Sequence, residues 1–264
     1  MSPATRTGTD PAAEAAIGAA CKTLGLPGIA EAAVSMAETA ARQRMTYAAY
    51  LAEVLSYECD SRDDRRRVRR VKEAKFPRAK RLEDFDAAQL PDLPPATLAH
   101  LATGAWIDKG EPLVLLGDSG TGKTHLLIAL GTAAAEQGRR VKYTTTAALV
   151  NELVEAADSK ELSRVVNRYA KIDLLCLDEV GYVQLDTRGA ELLFQIITAR
   201  EERASIACAS NAPFSEWGQT FTDPRLAAAV VDRLTFRGHI IDTGTESYRL
   251  KTTSRNHVPT TSST

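Results

Sequence analysis

Thirteen residues, LLGDSGTGKTHLL from Leu115 to Leu127, constrain the fold of this chain more than any other stretch. They fit Gly-x-x-x-x-Gly-Lys-[Ser/Thr] through Gly117, Gly122, Lys123 and Thr124, with the apolar run Pro112 to Leu116 before them and a helical pattern after. A glycine-rich turn between a strand and a helix points several backbone N–H groups at one place, the positive end of a helix dipole, which is a cradle for phosphate. Gly117, Gly120 and Gly122 permit a tight path that side chains would obstruct, Lys123 is placed to reach β- and γ-phosphates, and the Thr124 hydroxyl to bind Mg²⁺. The predicted nucleotide contacts are Gly117, Asp118, Ser119, Gly120, Thr121, Gly122, Lys123, Thr124 and His125.

A strand feeding such a loop implies neighbouring strands, and the sequence supplies them. Short apolar runs at Pro112 to Leu116, Val141 to Thr145, Ile172 to Leu177, Ser205 to Ala209 and Gly238 to Asp242 alternate with amphipathic segments such as Lys123 to Gln137 and Gly189 to Arg203. That alternation predicts an α/β fold, a mostly parallel five-stranded sheet covered on both faces. Ahead of it, past a linker with Pro91, Pro94 and Pro95, residues 13–81 contain no β-rich run. They read as helices ending near Gly25 and Arg44, then a third from Thr46 that continues through the charged stretch to Lys75, with Pro77 ending it. The expected organisation is therefore a helical domain over 13–81, an α/β domain over 82–251, and disordered ends at 1–12 and 252–264.

Hydrolysis at a phosphate loop needs a second element to hold the metal and activate water. IDLLCLDEV, residues 172–180, is an apolar strand running into two adjacent carboxylates: Asp178 is predicted to contact Mg²⁺, and Glu179 to orient and polarise the attacking water. Taken alone, an acidic pair is as often a solvated strand end. The Asp-Glu pair favours hydrolysis over transfer to a small acceptor, because a metabolite kinase needs its acceptor where the water sits. CASN places Asn211 at a neighbouring strand tip, where its amide could sense the γ-phosphate or help hold the water, although Asn at a strand end usually serves a turn. VVDRLTFRG offers Arg233 and, four residues on along a predicted helix face, Arg237; either, presented to a neighbour's γ-phosphate, would stabilise transition-state charge, although any single arginine is more often a surface ion pair.

The formal net charge of -1 conceals a segregation of charge. Between residues 62 and 81 there are eleven basic and three acidic side chains, a local +8. Arg65, Arg66, Arg67, Arg69, Arg70 and Lys72 would ring much of one helix, which suits contact with phosphates rather than reading of bases. The alternative is a solvated charged helix. With no helix-turn-helix or zinc-finger pattern beside it, the arm predicts largely sequence-independent binding to duplex DNA. Cys21, Cys59, Cys176 and Cys208 lack metal or redox spacing, no apolar run approaches the ~20 residues of a bilayer span, and MSPATRTGTD is not a secretory leader, so a cytoplasmic protein with reduced thiols and no membrane partner is expected.

Together these residues resemble the AAA+ ATPases, and within them the IstB-like helper proteins of insertion-sequence transposition, relatives of the DnaC helicase loaders and DnaA initiators. The resemblance runs through GLPGIAEA, the basic helix, RLEDFD, GDSGTGKTHL, LLCLDEVGY, ASNAPFSEW, VVDRLTFRG and the final SYRLK. It implies ATP with Mg²⁺ as the bound nucleotide, sheet order 5-1-4-3-2, an adenine pocket lined by RLEDFD, and Arg233 acting across a subunit interface with Arg237 as second candidate. It also implies homo-oligomers, ring-like or helical, formed on DNA with ATP, and a cognate transposase as partner. The chain departs from the wider AAA+ pattern after Asn211, where too few residues remain for a full helical lid; Arg249 is no safe substitute for the second sensor arginine. A DnaC-like loader of a replicative helicase is the alternative, and a small-molecule kinase a third reading that Glu179, the paired arginines and the basic arm disfavour.

Overall fold

The computed structural model describes residues 10–87, 90 and 93–245, which fall into two compact units dividing between Val68 and Arg69. Residues 1–9, 88–89, 91–92 and 246–264 lie outside the described residues, and with them Pro91, the SYRLK ending, Arg249 and the tail from 252.

The first unit is helical. Helix α1 (Pro11–Leu24) begins inside the segment expected to be disordered, because Asp10 caps it: its carboxylate accepts from the N–H of Ala12 at 3.1 Å, and Pro11 occupies the first turn, where no donor is needed. Gly25 ends it in the left-handed conformation. Helix α2 (Pro27–Gln43) follows, then α3 (Tyr47–Ala74), which continues across the unit boundary. Alanines at 32, 33 and 40 and Val54 make the buried surface, small side chains that let helices approach closely. One charged group is buried with them. Glu58 accepts from the Ile29 N–H at 2.9 Å, at the start of α2, and pairs with Arg62 at 2.8 Å and Arg65 at 3.3 Å. The hydrogen bond from Arg62 holds its carboxyl below the ordinary carboxylate value. The division at Val68 falls ahead of the expected boundary at residue 81, since Val71, Ala74, Phe76, Leu82 and Phe85 pack with the core of the second unit.

In the second unit the last turn of α3 closes on Lys75, in left-handed backbone (φ 58°), two residues before Pro77. Helices α4 (Pro95–Thr103) and α5 (Ala105–Asp108) lead to β1 (Leu113–Leu116), and α6 (Lys123–Glu136) follows the glycine loop. Next come β2 (Val141–Thr145), α7 (Thr146–Asp158), α8 (Leu162–Ala170), β3 (Leu174–Val180) and α9 (Thr187–Arg200). The described chain finishes through β4 (Ser205–Ser210), α10 (Trp217–Phe221), α11 (Pro224–Thr235) and β5 (His239–Asp242). All strand pairs are parallel, in the order β2-β3-β4-β1-β5, which is the implied 5-1-4-3-2 read from the other edge. Alternate residues of the strands feed two cores. Val114, Leu175, Leu177, Ile206 and Cys208 meet α7, α8, α9 and α11, whereas Leu113, Leu115, Leu174, Cys176 and Ala207 meet α4, α5 and α6. Helix α6 is buried on nearly every side from Leu126 to Leu130, each large side chain worth about 1.5–3 kcal/mol of burial, so its pattern is more uniformly apolar than a surface helix would be.

Several boundaries differ from those predicted. Helix α9 starts at Thr187, before the predicted Gly189, because the Asp186 carboxylate accepts from the Gly189 N–H at 2.8 Å, and it ends at Arg200 instead of Arg203. The Arg200 guanidinium is buried and donates to the Ile172 and Ser205 carbonyls at 2.9 and 2.7 Å, tying the starts of β3 and β4 together. Strand β3 runs on through both carboxylates to Val180, by way of a bulge. Arg237 leaves the helix face predicted for it: α11 stops at Thr235, Phe236 is extended, and Arg237 takes a left-handed backbone (φ 52°) as the chain turns into β5. Among the described residues no helix is long and apolar enough to cross a membrane, and all four cysteines are free thiols.

Candidate nucleotide site

The phosphate loop leaves β1 at Gly117 and enters α6 at Lys123. Its path is pinned from a distant part of the chain. The Thr121 and Thr243 hydroxyls lie 2.6 Å apart, Thr243 also donates to the Leu116 carbonyl at 2.9 Å, and the Asp118 N–H donates to the Gly244 carbonyl at 3.0 Å. Gly117 has φ 139°, and a Cβ there would meet the Thr243 hydroxyl and the Gly244 carbonyl oxygen, so this position admits glycine alone. Lys123 is buried at the base of the loop, its Nζ donating to the Gly117 and Asp118 carbonyls at 2.7 and 2.6 Å. The residues after β5 that hold the loop, Thr243 and Gly244, were not singled out by the sequence; no pattern in DTGT distinguishes them from any turn.

The two carboxylates arrive on β3, the neighbour of β4, which itself flanks β1. The β3–β4 register shifts between Leu177 and Val180, and Glu179 sits in left-handed backbone at φ 59°. For a residue with a Cβ that conformation costs on the order of 1–2 kcal/mol. Of the two neighbours, Asp178 is buried and Glu179 exposed. Asp178 is held on several sides. Its Oδ1 accepts from the Thr124 hydroxyl at 3.2 Å and from the Glu179 N–H at 2.9 Å, and its Oδ2 accepts from the Tyr143 hydroxyl at 2.7 Å. Thr124 and Asp178, hard oxygen donors side by side at the mouth of a phosphate loop, fit Mg²⁺, which takes one or two protein oxygens and completes its shell with phosphate and water.

A cavity of about 480 Å³ joins these groups. Ser119, Lys123, Thr124, Asp178, Glu179 and Asn211 all line it, so the structure brings together the loop, both carboxylates and the strand-tip asparagine, along with Gly120, Gly122 and His125. Arg78, Lys80 and Tyr182 line it as well, and none of these had been singled out for the site. RLEDFD lies against the same region: the Phe85 ring stands edge-on to His125 at 5.4 Å and would be 3.6 Å from a Cβ on Gly122. Burial, and then the Lys80 ammonium, hold the His125 imidazole below its ordinary value.

Arg233 and Arg237 are not part of this cavity. They line a separate one of about 170 Å³ beside Glu111 and Pro112, before β1, at the opposite end of that strand from the phosphate loop. Arg233 pairs with Glu201 at 3.1 Å, donates to the Ala229 carbonyl at 3.1 Å, and lies 4.7 Å from the centroid of the Phe194 ring. Of the basic arm, Arg66 and Arg67 pair with Asp63 and Asp64 at 3.6 and 3.5 Å, and Arg69 and Arg70 with Glu73 at 3.8 and 3.1 Å. Exposed pairs of this kind contribute ~0–1 kcal/mol and exchange readily for a stronger anion.

A parallel sheet in this order, with a glycine loop after β1 and an acidic pair at the end of β3, defines an AAA+ P-loop ATPase. The chain belongs to the family described as IstB-like ATP binding protein, which matches it over residues 19–256. It is 36% identical to an ATP-binding protein of insertion sequence IS21 from Pseudomonas aeruginosa over 82% of both chains. It is 38% identical to an insertion sequence ATP-binding protein of Sinorhizobium fredii, over 89% of this chain and 80% of that one. Among solved structures it is similar to AMPPCP-bound DnaA from Aquifex aeolicus, with TM-score 0.54 and 25% identity over 69% of this chain and 55% of the other. ATP is therefore the bound nucleotide, and its hydrolysis the reaction.

Proposed function

We propose that this ATPase is a transposition helper that oligomerises on duplex DNA in an ATP-dependent way and recruits or activates a transposase. The observation carrying the catalytic part is the bulge of β3, which buries Asp178 against Thr124 while turning Glu179 outward at the same cavity. In this reading the loop N–H groups and Lys123 bind the triphosphate, and Thr124 and Asp178 hold Mg²⁺, which when bound neutralises charge on the phosphate oxygens. Glu179 orients the attacking water and takes its proton, and Asn211 faces the γ-phosphate from the tip of β4. His125 and Phe85 form the wall toward the base.

The wider role draws on the relatives, which are ATP-binding proteins of insertion sequences. The basic segment, with Arg65, Arg66, Arg67, Arg69, Arg70 and Lys72 on α3, supplies phosphate contacts without a base-reading element, supporting binding to duplex DNA of any sequence. The position of Arg233 supports oligomerisation: lying across the strand from its own phosphate loop, it has a route to a γ-phosphate only in a neighbouring subunit, with Arg237 beside it as the second candidate.

Glu179→Gln tests the catalytic assignment. Nucleotide affinity should remain within about twofold of the parent while turnover falls by at least the 10²–10⁴ range of a lost general base, leaving the DNA-bound oligomer trapped. Turnover at the parental rate would remove Glu179 from the mechanism.

A further inference from the structure

Asp178 is held by a residue that neither the motif nor its spacing identifies. Tyr143, in the middle of β2, sits across from Cys176, two residues before Asp178, and its hydroxyl reaches along the sheet face to Asp178 Oδ2 at 2.7 Å. The two oxygens of the carboxylate thus have different partners. Oδ1 takes Thr124 and the Glu179 N–H, and Oδ2 takes the tyrosine. Rotation about the Cβ–Cγ bond moves both oxygens, so the bond at Oδ2 adds to those at Oδ1 in resisting it and opposes exchange of the two oxygens.

The tyrosine ring is itself fixed. It meets the Phe76 ring edge-on, centroids 6.1 Å apart, and Phe76 is wedged over α6 where a Cβ on Gly131 would lie 2.9 Å from its ring atoms. Only a glycine at 131 leaves room for that ring between α6 and β3, whose Cys176 Sγ is 3.0 Å from the same point. A phenol hydroxyl is protonated near neutral pH, so at 2.7 Å Tyr143 donates and the ionised carboxylate accepts.

We propose that Tyr143 is a positioning residue for the metal-side carboxylate, its hydroxyl fixing the rotation of Asp178 so that Oδ1 stays beside Thr124, with Phe76 fixing the ring. The proposal rests on the reading of Asp178 as a Mg²⁺-holding residue. Groups that orient a metal-holding carboxylate from behind are worth 10–100-fold in metal affinity or activity when removed.

The test uses the full chain and measures ATP binding as Mg²⁺ is titrated, alongside binding of metal-free nucleotide in chelator. Tyr143→Phe keeps the ring and removes only the hydroxyl. It should raise the Mg²⁺ concentration for half-maximal enhancement of ATP binding about tenfold and leave metal-free binding unchanged. Phe76→Leu, which loosens the ring while retaining an apolar side chain, should move the same midpoint in the same direction by a smaller factor. Asp178→Asn distinguishes the role of Tyr143 from that of the aspartate. If it moves the Mg²⁺ midpoint and Tyr143→Phe does not, the tyrosine assignment is wrong and the aspartate reading stands. If Asp178→Asn itself leaves the midpoint in place, the metal reading falls and the proposal with it. An equal loss of metal-free binding in Tyr143→Phe would show a merely structural side chain and also overturn the assignment.

Discussion

Glu179 shows how much of this site is decided by one backbone conformation. With φ at 59° it is exposed while its neighbour Asp178 is buried, and both consecutive carboxylates line one cavity. The adjacency of the two acids was legible in LLCLDEV; the left-handed residue that makes adjacency useful was not, since nothing in that run demands a positive φ. Gly117 is the converse case, a residue whose necessity the motif declares and whose cause lies at Thr243 and Gly244, more than a hundred residues away. Gly117→Ala should reduce ATP affinity at least tenfold, or about 1.4 kcal/mol, with the helical content of the chain unchanged in circular dichroism. Parental affinity in that variant would show that the loop can shift away from Thr243 without losing its grip on phosphate.

At the scale of elements, apolar runs located the five strands, buried on both faces of the sheet, and helical patterns located α6 and α9, but ends were misplaced where a single polar side chain sets them. Asp10 starts α1 early, Asp186 starts α9 early, and the buried Arg200 marks where α9 stops. Pairing across the sheet was equally hidden: Tyr143 and Asp178 are brought together by parallel register, which no local pattern encodes. Another such pairing joins the starts of β2 and β3, where Asp173 accepts from the Arg140 N–H and guanidinium, each at 2.7 Å. Burial alone would raise the Asp173 pKa, but its bonds and attraction to Arg140 outweigh this and hold it below the ordinary 3.8. The clamp therefore stabilises the fold above about pH 4 and loses its contribution as pH falls through the depressed value. Asp173→Asn should lower the thermal midpoint at pH 7 by a few degrees, with the difference from the parent closing below pH 4; a pH-independent difference would contradict this. For α3, replacing Arg66, Arg67 and Arg70 by Ala should weaken DNA binding and flatten its salt dependence by up to about 0.9 log unit per lost phosphate contact. An unchanged slope would make the arm a solvated face whose arginines merely pair with Asp63, Asp64 and Glu73.

The whole molecule places its chemistry unevenly. The phosphate loop, both carboxylates and Asn211 gather beyond the ends of β1, β3 and β4, where an open parallel sheet favours a ligand, yet Arg233 and Arg237 stand at the other end of β1. The sequence named these arginines as candidates; their distance from the loop could be learned only once the helix was seen to end at Thr235 and the chain to turn into β5. In the proposed function an arginine so placed would contribute to hydrolysis by meeting another subunit's nucleotide, which would make turnover a property of the assembly. The direct test is steady-state ATP turnover per subunit as a function of protein concentration, with and without long duplex DNA of random sequence. Shared sites on DNA predict that turnover rises with concentration and rises again with DNA, and that Arg233→Ala loses both increases while still binding ATP. Turnover that is flat in both variables would contradict the account, leaving Arg233 as the partner of Glu201 and Phe194 within its own subunit.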